Sequence, residues 1–160
     1  MAQRTDERTP TKDELKAYEC ALELAAFTWS ASKPKRKRDK KGNEHDSNKH
    51  VPMRYSELGK ELVKLSTDIG ALVLEANVGY YVGKNLNQTD RGKNYIKRIE
   101  LEQDAYALTF RMEHIVRLLH KRRPFADSTF THWLVLICTV RGKIKAWRDS
   151  EKRELKGCGL

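Results

Sequence analysis

An all-α, antiparallel up-down-up-down four-helix bundle is the fold this sequence predicts, on three observations. Four segments repeat apolar residues at alternating steps of three and four, the period that keeps one seam of a helix against its neighbours. No segment alternates apolar and polar residues as a half-buried strand does. The chain has 160 residues, enough for one domain that buries about 70% of its unfolded surface, so four helices can close on one core without metal or disulfide.

The first helix is expected to start at Thr11-Lys-Asp-Glu14, a capping-box pattern in which Thr11 and Glu14 satisfy each other's free backbone amides. It runs over Asp13–Ser30, with Leu15, Tyr18, Leu22, Ala25 and Trp29 as its apolar positions. The second spans about Arg54 to Gly79, with Leu58, Leu62, Leu65, Ile69, Leu72 and Ala76 facing the core. The third follows Asp90 and presents Ile99, Leu101, Ala105, Leu108, Met112, Ile115 and Leu119. The fourth starts after Asp127 or Ser128, with Phe130, Trp133, Ile137, Val140, Ile144 and Trp147 on its seam.

Pro124 forces Arg123 out of helical geometry and predicts a tight turn between the third and fourth helices. Gly79, Gly83 and the Asn-rich stretch that follows predict a loop of about ten residues between the second and third. Residues 31–52 hold two prolines, many charges and no large apolar anchor except Val51, a composition that cannot offset the entropy of ordering. We read this segment as a disordered insertion in a single domain of residues 1–160, with 1–11 a flexible N-terminus and 157–160 a flexible tail.

The formal charge is +10 and the pI about 9.6, which points to a polyanionic partner. The stretch KPKRKRDKKG, residues 33–42, supplies a net +6 of that excess. Its Lys35, Arg36, Lys37, Arg38, Lys40 and Lys41 form a polycation that can follow phosphates without reading sequence. A solvated loop or a nuclear-localisation signal has the same composition. On the fourth helix Arg141, Lys145, Arg148, Lys152 and Lys156 recur at steps of four, three, four and four, one continuous basic stripe beside the apolar seam. The third helix adds Arg91, Lys93, Lys97 and Arg98 at its start and Arg111, Arg117, Lys121, Arg122 and Arg123 later on, with Glu100, Glu102, Asp104 and Glu113 as surface acids beside them.

Catalytic and metal chemistry find little in the pattern. His114, His120 and His132 miss the i, i+4 spacing of a helical zinc pair. Cys138 lies among Val135, Leu136, Ile137 and Val140, where a thiol is expected to serve as a small core hydrophobe. Gly79-Tyr-Tyr-Val-Gly83-Lys84 has the wrong spacing for a phosphate loop, with Asn85 where Ser or Thr is required. No enzyme and no cofactor are expected. Tyr80, Tyr81 and Tyr95 could stack on unpaired bases, with helix-end packing the alternative.

The N-terminal residues lack the apolar core of a secretory signal, and the longest uncharged apolar stretch, Phe130 to Val140, is too short for a membrane span. Three scattered cysteines read as reduced thiols. A cytoplasmic protein without a membrane partner is therefore expected.

Several segments also carry a family likeness. The second helix ends in LVLEANVGYYVGKN, followed by a polar loop and Arg91; ALTFRMEHIVRLLHKRRPF leads into a short turn; VRGKIKAWRDS sets Gly142 and Trp147 in a Gly-x4-Trp spacing. From Arg54 to Glu154 the chain resembles the four-helix-bundle family that includes the accessory variability determinant of diversity-generating retroelements and the proteins encoded in rRNA intervening sequences. The insertion 31–52 departs from that pattern. The resemblance implies a non-enzymatic partner of a reverse transcriptase that binds template RNA, or an RNA/DNA hybrid, assembles as a homopentamer and serves mutagenic cDNA synthesis. By position it implies Arg91, Arg111, Arg141, Lys145 and Arg148 as basic surface for RNA or the transcriptase. A nucleic-acid-binding subunit of another complex, such as a CRISPR effector, and a pure protein-interaction bundle are the competing readings.

Overall fold

The structure, a computed structural model, describes residues 12–33, 36–38, 44–46 and 56–159. Four helices make the bundle: α1 (Lys12–Ala31), α2 (Glu57–Gly79), α3 (Gln88–Arg122) and α4 (Asp127–Gly157). Each packs on the next, and α1 closes the ring against α4, so α1 and α3 stand at opposite corners. This is the expected all-α bundle.

Local chemistry sets the helix ends. The Ser56 hydroxyl accepts from the Gly59 amide at 3.1 Å and starts α2; the Asn87 side chain accepts from the Asp90 amide at 2.8 Å and starts α3. At the end of α3 the Arg123 amide donates to the Leu119 carbonyl, and Pro124 then stops the helix. In the α2–α3 loop Tyr81 lies so close over Gly83 that any Cβ there would overlap its ring, and the Tyr81 hydroxyl donates to Asn85 Oδ1 at 2.6 Å. Helix α4 carries through to Gly157, into the segment read as a tail.

In the α1–α2 connection, β1 (Arg36–Arg38) pairs antiparallel with β2 (Glu44–Asp46), with Arg36 opposite Asp46 and Arg38 opposite Glu44. The sequence reading had no ribbon here, because three-residue strands are too short to show alternation. The rest of the insertion, with Lys35, Lys40 and Lys41, lies outside the described residues, as do the N-terminal segment and Thr11.

The core follows the predicted seams on α2 and α4. Leu62, Leu65, Ile69 and Ala76 are buried on α2, and Trp133, Ile137, Val140, Ile144 and Trp147 on α4. Each fully buried Leu, Ile or Trp contributes about 1.5–3 kcal/mol relative to exposure.

Helix α1 departs from its predicted seam. Ala17, Ala21 and Leu24 face the core with Glu14 and Thr28, while Leu15, Leu22 and Trp29 stand about half exposed. The bundle takes the small residues inward because Thr28 accepts from the Trp133 indole at 3.0 Å and Glu14 reaches a buried arginine. Glu14 is therefore a core partner of Arg98, and the capping box expected with Thr11 falls on a residue outside the described ones. Cys138, expected inside, is exposed.

Candidate nucleic-acid interface

The two ends of the bundle differ in chemistry. At the end formed by the start of α1, the finish of α2, the start of α3 and the finish of α4, Arg98 is wholly buried. Its Nε donates to Glu151 Oε1 at 2.7 Å, its Nη2 pairs with Glu14 and Glu151, and its Nη1 donates to the Tyr80 carbonyl at 3.2 Å and more weakly to that of Asn77. One side chain thus ties all four helices together. The Trp147 indole donates to Glu151 Oε1 at 2.9 Å, and its ring lies 5.4 Å from the Arg98 guanidinium carbon.

Glu102 completes this node, one helical turn beyond Arg98 and buried. Burial, then the neighbouring Glu151 carboxylate, push its pKa up to about 10, so it is neutral at physiological pH. As carboxylates, both oxygens of Glu102 and Oε2 of Glu151 would find no donor. A single proton held on Glu102 and directed at Glu151 Oε2 would pair two of these three oxygens. For Arg98, burial opposes the charge, but Glu151 and then Glu14 outweigh it and hold the guanidinium above its ordinary value.

The predicted contact residues divide on this structure. Arg98 is the clearest correction: sequence periodicity put it on a basic surface, yet a phosphate cannot reach it while the bundle is folded. Two members of the expected α4 stripe are also structural. Arg141 donates to Thr109 Oγ1 at 2.9 Å and Glu113 at 2.7 Å, with its guanidinium carbon 3.7 Å from the Phe110 ring centre. Arg148 is buried, bonds Gln103 and lies 4.6 Å over Tyr106. These arginines clamp α4 to α3, so the stripe is not a continuous row of exposed cations. Arg141 and then Arg117 hold the Glu113 carboxyl below its ordinary value.

Arg91 is half buried and donates to the carbonyls of Lys84 and Leu86, pinning the α2–α3 loop. It lines a polar cleft of about 290 Å³ with Gln88, Tyr95, Glu154, Gly157 and Cys158. Tyr95 is buried, as the packing alternative required. Lys93, Lys97, Arg111, Lys145 and Lys152 are exposed. Of these, Lys97 pairs with Glu100, Arg111 with Glu61 on α2, and Lys145 with Asp149; Lys93 lies 3.8 Å from Asp90. Arg36, Lys37 and Arg38 are placed by their backbone in β1.

The opposite end collects charge instead of burying it. The α1–α2 insertion leaves and returns there, beside the finish of α3, where Lys121, Arg122 and Arg123 are exposed in succession. Lys33, one residue past the turn that ends α1, is exposed at the same end. Beneath lies an aromatic layer in which Phe125 and Phe130 flank His120, stacked on Phe130 at 4.2 Å, and Phe27 meets Trp133 edge-on. The sequence reading placed Lys121–Arg123 on α3 without assigning them a site; their position directly before Pro124 was the available signal.

The fold and these two ends define a four-helix bundle locked by a buried ionic node at one end and basic at the other. No helix among the described residues is long and apolar enough to cross a membrane, and no cluster there could hold a metal ion. Comparison with protein-family models, curated proteins and solved structures gave no match.

Proposed function

We propose that this chain is a non-enzymatic, cytoplasmic RNA-binding accessory protein that associates with a reverse transcriptase and its template RNA, in the manner of diversity-generating retroelements. The observation that carries the RNA part is the run of exposed cations at the end where the insertion joins the bundle. Lys33 and Lys121–Arg123 are exposed at the end where α1 hands over to the insertion whose sequence holds the polycation, while Arg98, Arg141 and Arg148 are spent on holding helices together. Cations gathered at one end release counterions together when a phosphate backbone arrives, which gives strong, salt-sensitive and sequence-tolerant binding. The reverse transcriptase and pentameric assembly rest on the resemblance of residues 54–154 to the retroelement accessory family.

Affinity purification of the full chain from its source cell, with sequencing of bound RNA and identification of bound protein, tests the reading. Recovery of a reverse transcriptase with one structured RNA is expected. Recovery of ribosomes or a CRISPR complex instead would overturn the retroelement assignment.

A further inference from the structure

The end of the bundle that holds the ionic node also carries the polar cleft, which the node does not use. The start of α3 and the finish of α4 meet there, joined by the Gln88 side-chain amide, which donates to the Gly157 carbonyl at 3.3 Å. The cleft between them, about 290 Å³, has Arg91 on its α3 side and Glu154 on its α4 side. That volume is at the lower edge of the roughly 300–1,000 Å³ that ligand pockets take, room for one small molecule and not for a polymer.

Two opposite charges line this cleft, and the fold occupies neither with a counter-charge. Deeper in the same end, Arg98 and Glu151 pair with each other. Asp90 accepts from the Asn87 side-chain amide at 2.6 Å and lies 3.8 Å from Lys93. Arg91 and Glu154 form no ion pair with each other or with any other described residue. The Arg91 guanidinium is fixed instead by the carbonyls of Lys84 at 3.3 Å and Leu86 at 3.1 Å, so its position is set before a ligand arrives. Its Nε is buried with no acceptor among the described residues, and a buried donor without a partner marks a place where an acceptor is missing. The helix ends set the same polarity. Gln88 opens α3 and Gly157 closes α4, so a negative group is favoured near the first and a positive group near the second. An anion alone would gain Arg91 but meet Glu154, and a cation alone would do the reverse. A molecule with a carboxylate and an ammonium on one carbon satisfies both.

We propose that this cleft binds a free α-amino acid, with its carboxylate on Arg91 and its ammonium on Glu154. The bound molecule joins the start of α3 to the finish of α4 and so stabilises the end that the node already holds. The site goes beyond the function proposed above and does not rest on it, because the exposed cations Lys33 and Lys121–Arg123 stand at the other end of the bundle.

The test uses the purified full chain without nucleic acid. Each of the common free amino acids is titrated while thermal unfolding is followed by circular dichroism. At about ten times its Kd the bound amino acid is expected to raise Tm by about 3–6 °C. The same carbon skeleton without the ammonium, or without the carboxylate, is expected to give no shift; for alanine these probes are propionate and ethylammonium. In heteronuclear NMR spectra the amide shifts are expected within residues 88–95 and 154–158, around the cleft. Glu154→Gln changes an exposed side chain, so it should leave the unliganded Tm unchanged and weaken binding about tenfold, the size of one lost charge-assisted bond. Arg91→Gln should abolish binding, but it also frees the α2–α3 loop, so Glu154→Gln carries the decision. A chain that no amino acid stabilises, equal binding of the carboxylate-only probe or of inorganic phosphate, amide shifts elsewhere in the bundle, or undiminished affinity in Glu154→Gln would overturn the proposal. Amino-acid binding by a chain that ignores RNA would leave this site standing and sink the RNA reading; RNA binding without an amino-acid site would do the reverse.

Discussion

Replacing Arg98 by Met separates a buried clamp from a surface contact. The substitution keeps the aliphatic volume and removes the guanidinium, leaving Glu14 and Glu151 buried without their cation and the Asn77 and Tyr80 carbonyls without their donor. Breaking a buried ion pair by removing one partner costs about 3–5 kcal/mol. Against a typical total of roughly 5–15 kcal/mol, that is a large fraction. For a chain of this size each kcal/mol moves Tm by roughly 2–4 °C, so a fall of about 6–20 °C is expected in thermal unfolding followed by circular dichroism. The deficit should shrink in acid, where protonation neutralises the stranded carboxylates. RNA affinity measured well below the new Tm should match wild type. A Tm within about 3 °C of wild type, or weakened RNA binding by the folded variant, would refute the clamp and restore Arg98 to the surface.

Three further outcomes follow from the same geometry. Glu102 binds its proton up to about pH 10 in the folded chain but only to its ordinary value of about 4.5 when unfolded. The folded state therefore holds the extra proton in that window, and its contribution to stability is complete below it and declines as pH rises. Glu102→Gln, which mimics the neutral acid, should raise Tm relative to wild type more at pH 9 than at pH 5; an equal effect at both would contradict a neutral Glu102. Arg141→Ala, which removes bonds to Thr109 and Glu113 and the cover over Phe110, should cost roughly 1–3 kcal/mol in denaturant unfolding. Its single-chain RNA affinity should change little, whereas a phosphate contact predicts the opposite pattern.

The seams of α2 and α4 were legible because their large apolar residues fall on one stripe. Helix α1 was not, because it carries two stripes. The one with the larger side chains, Leu15, Leu22 and Trp29, is the exposed one, and Ala17, Ala21 and Thr28 face inward. Periodicity cannot tell which stripe meets the core when a polar partner such as Glu14 decides it. The same limit hid the node. Arg98 and Glu102 sit in line with Tyr95 and Ala105 on the buried seam of α3, a visible clue. The carboxylates that make burial of an arginine tolerable come from positions 14 and 151, distant in sequence. Arg141 and Arg148 had the right spacing for a phosphate row, but the rings of Phe110 and Tyr106 beneath them become neighbours only once α3 and α4 pack.

The central claim is that RNA meets the basic end of the bundle. The salt dependence of RNA affinity by fluorescence anisotropy tests it most directly, comparing the wild-type chain with one in which the seven basic residues of positions 33–42 are Ser. We predict steep weakening with salt for wild type, lower affinity for the variant, and a log–log slope shallower by up to about 5, from roughly 0.7 per single-strand phosphate neutralised. Equal slopes and equal affinities for the two folded chains would contradict the account.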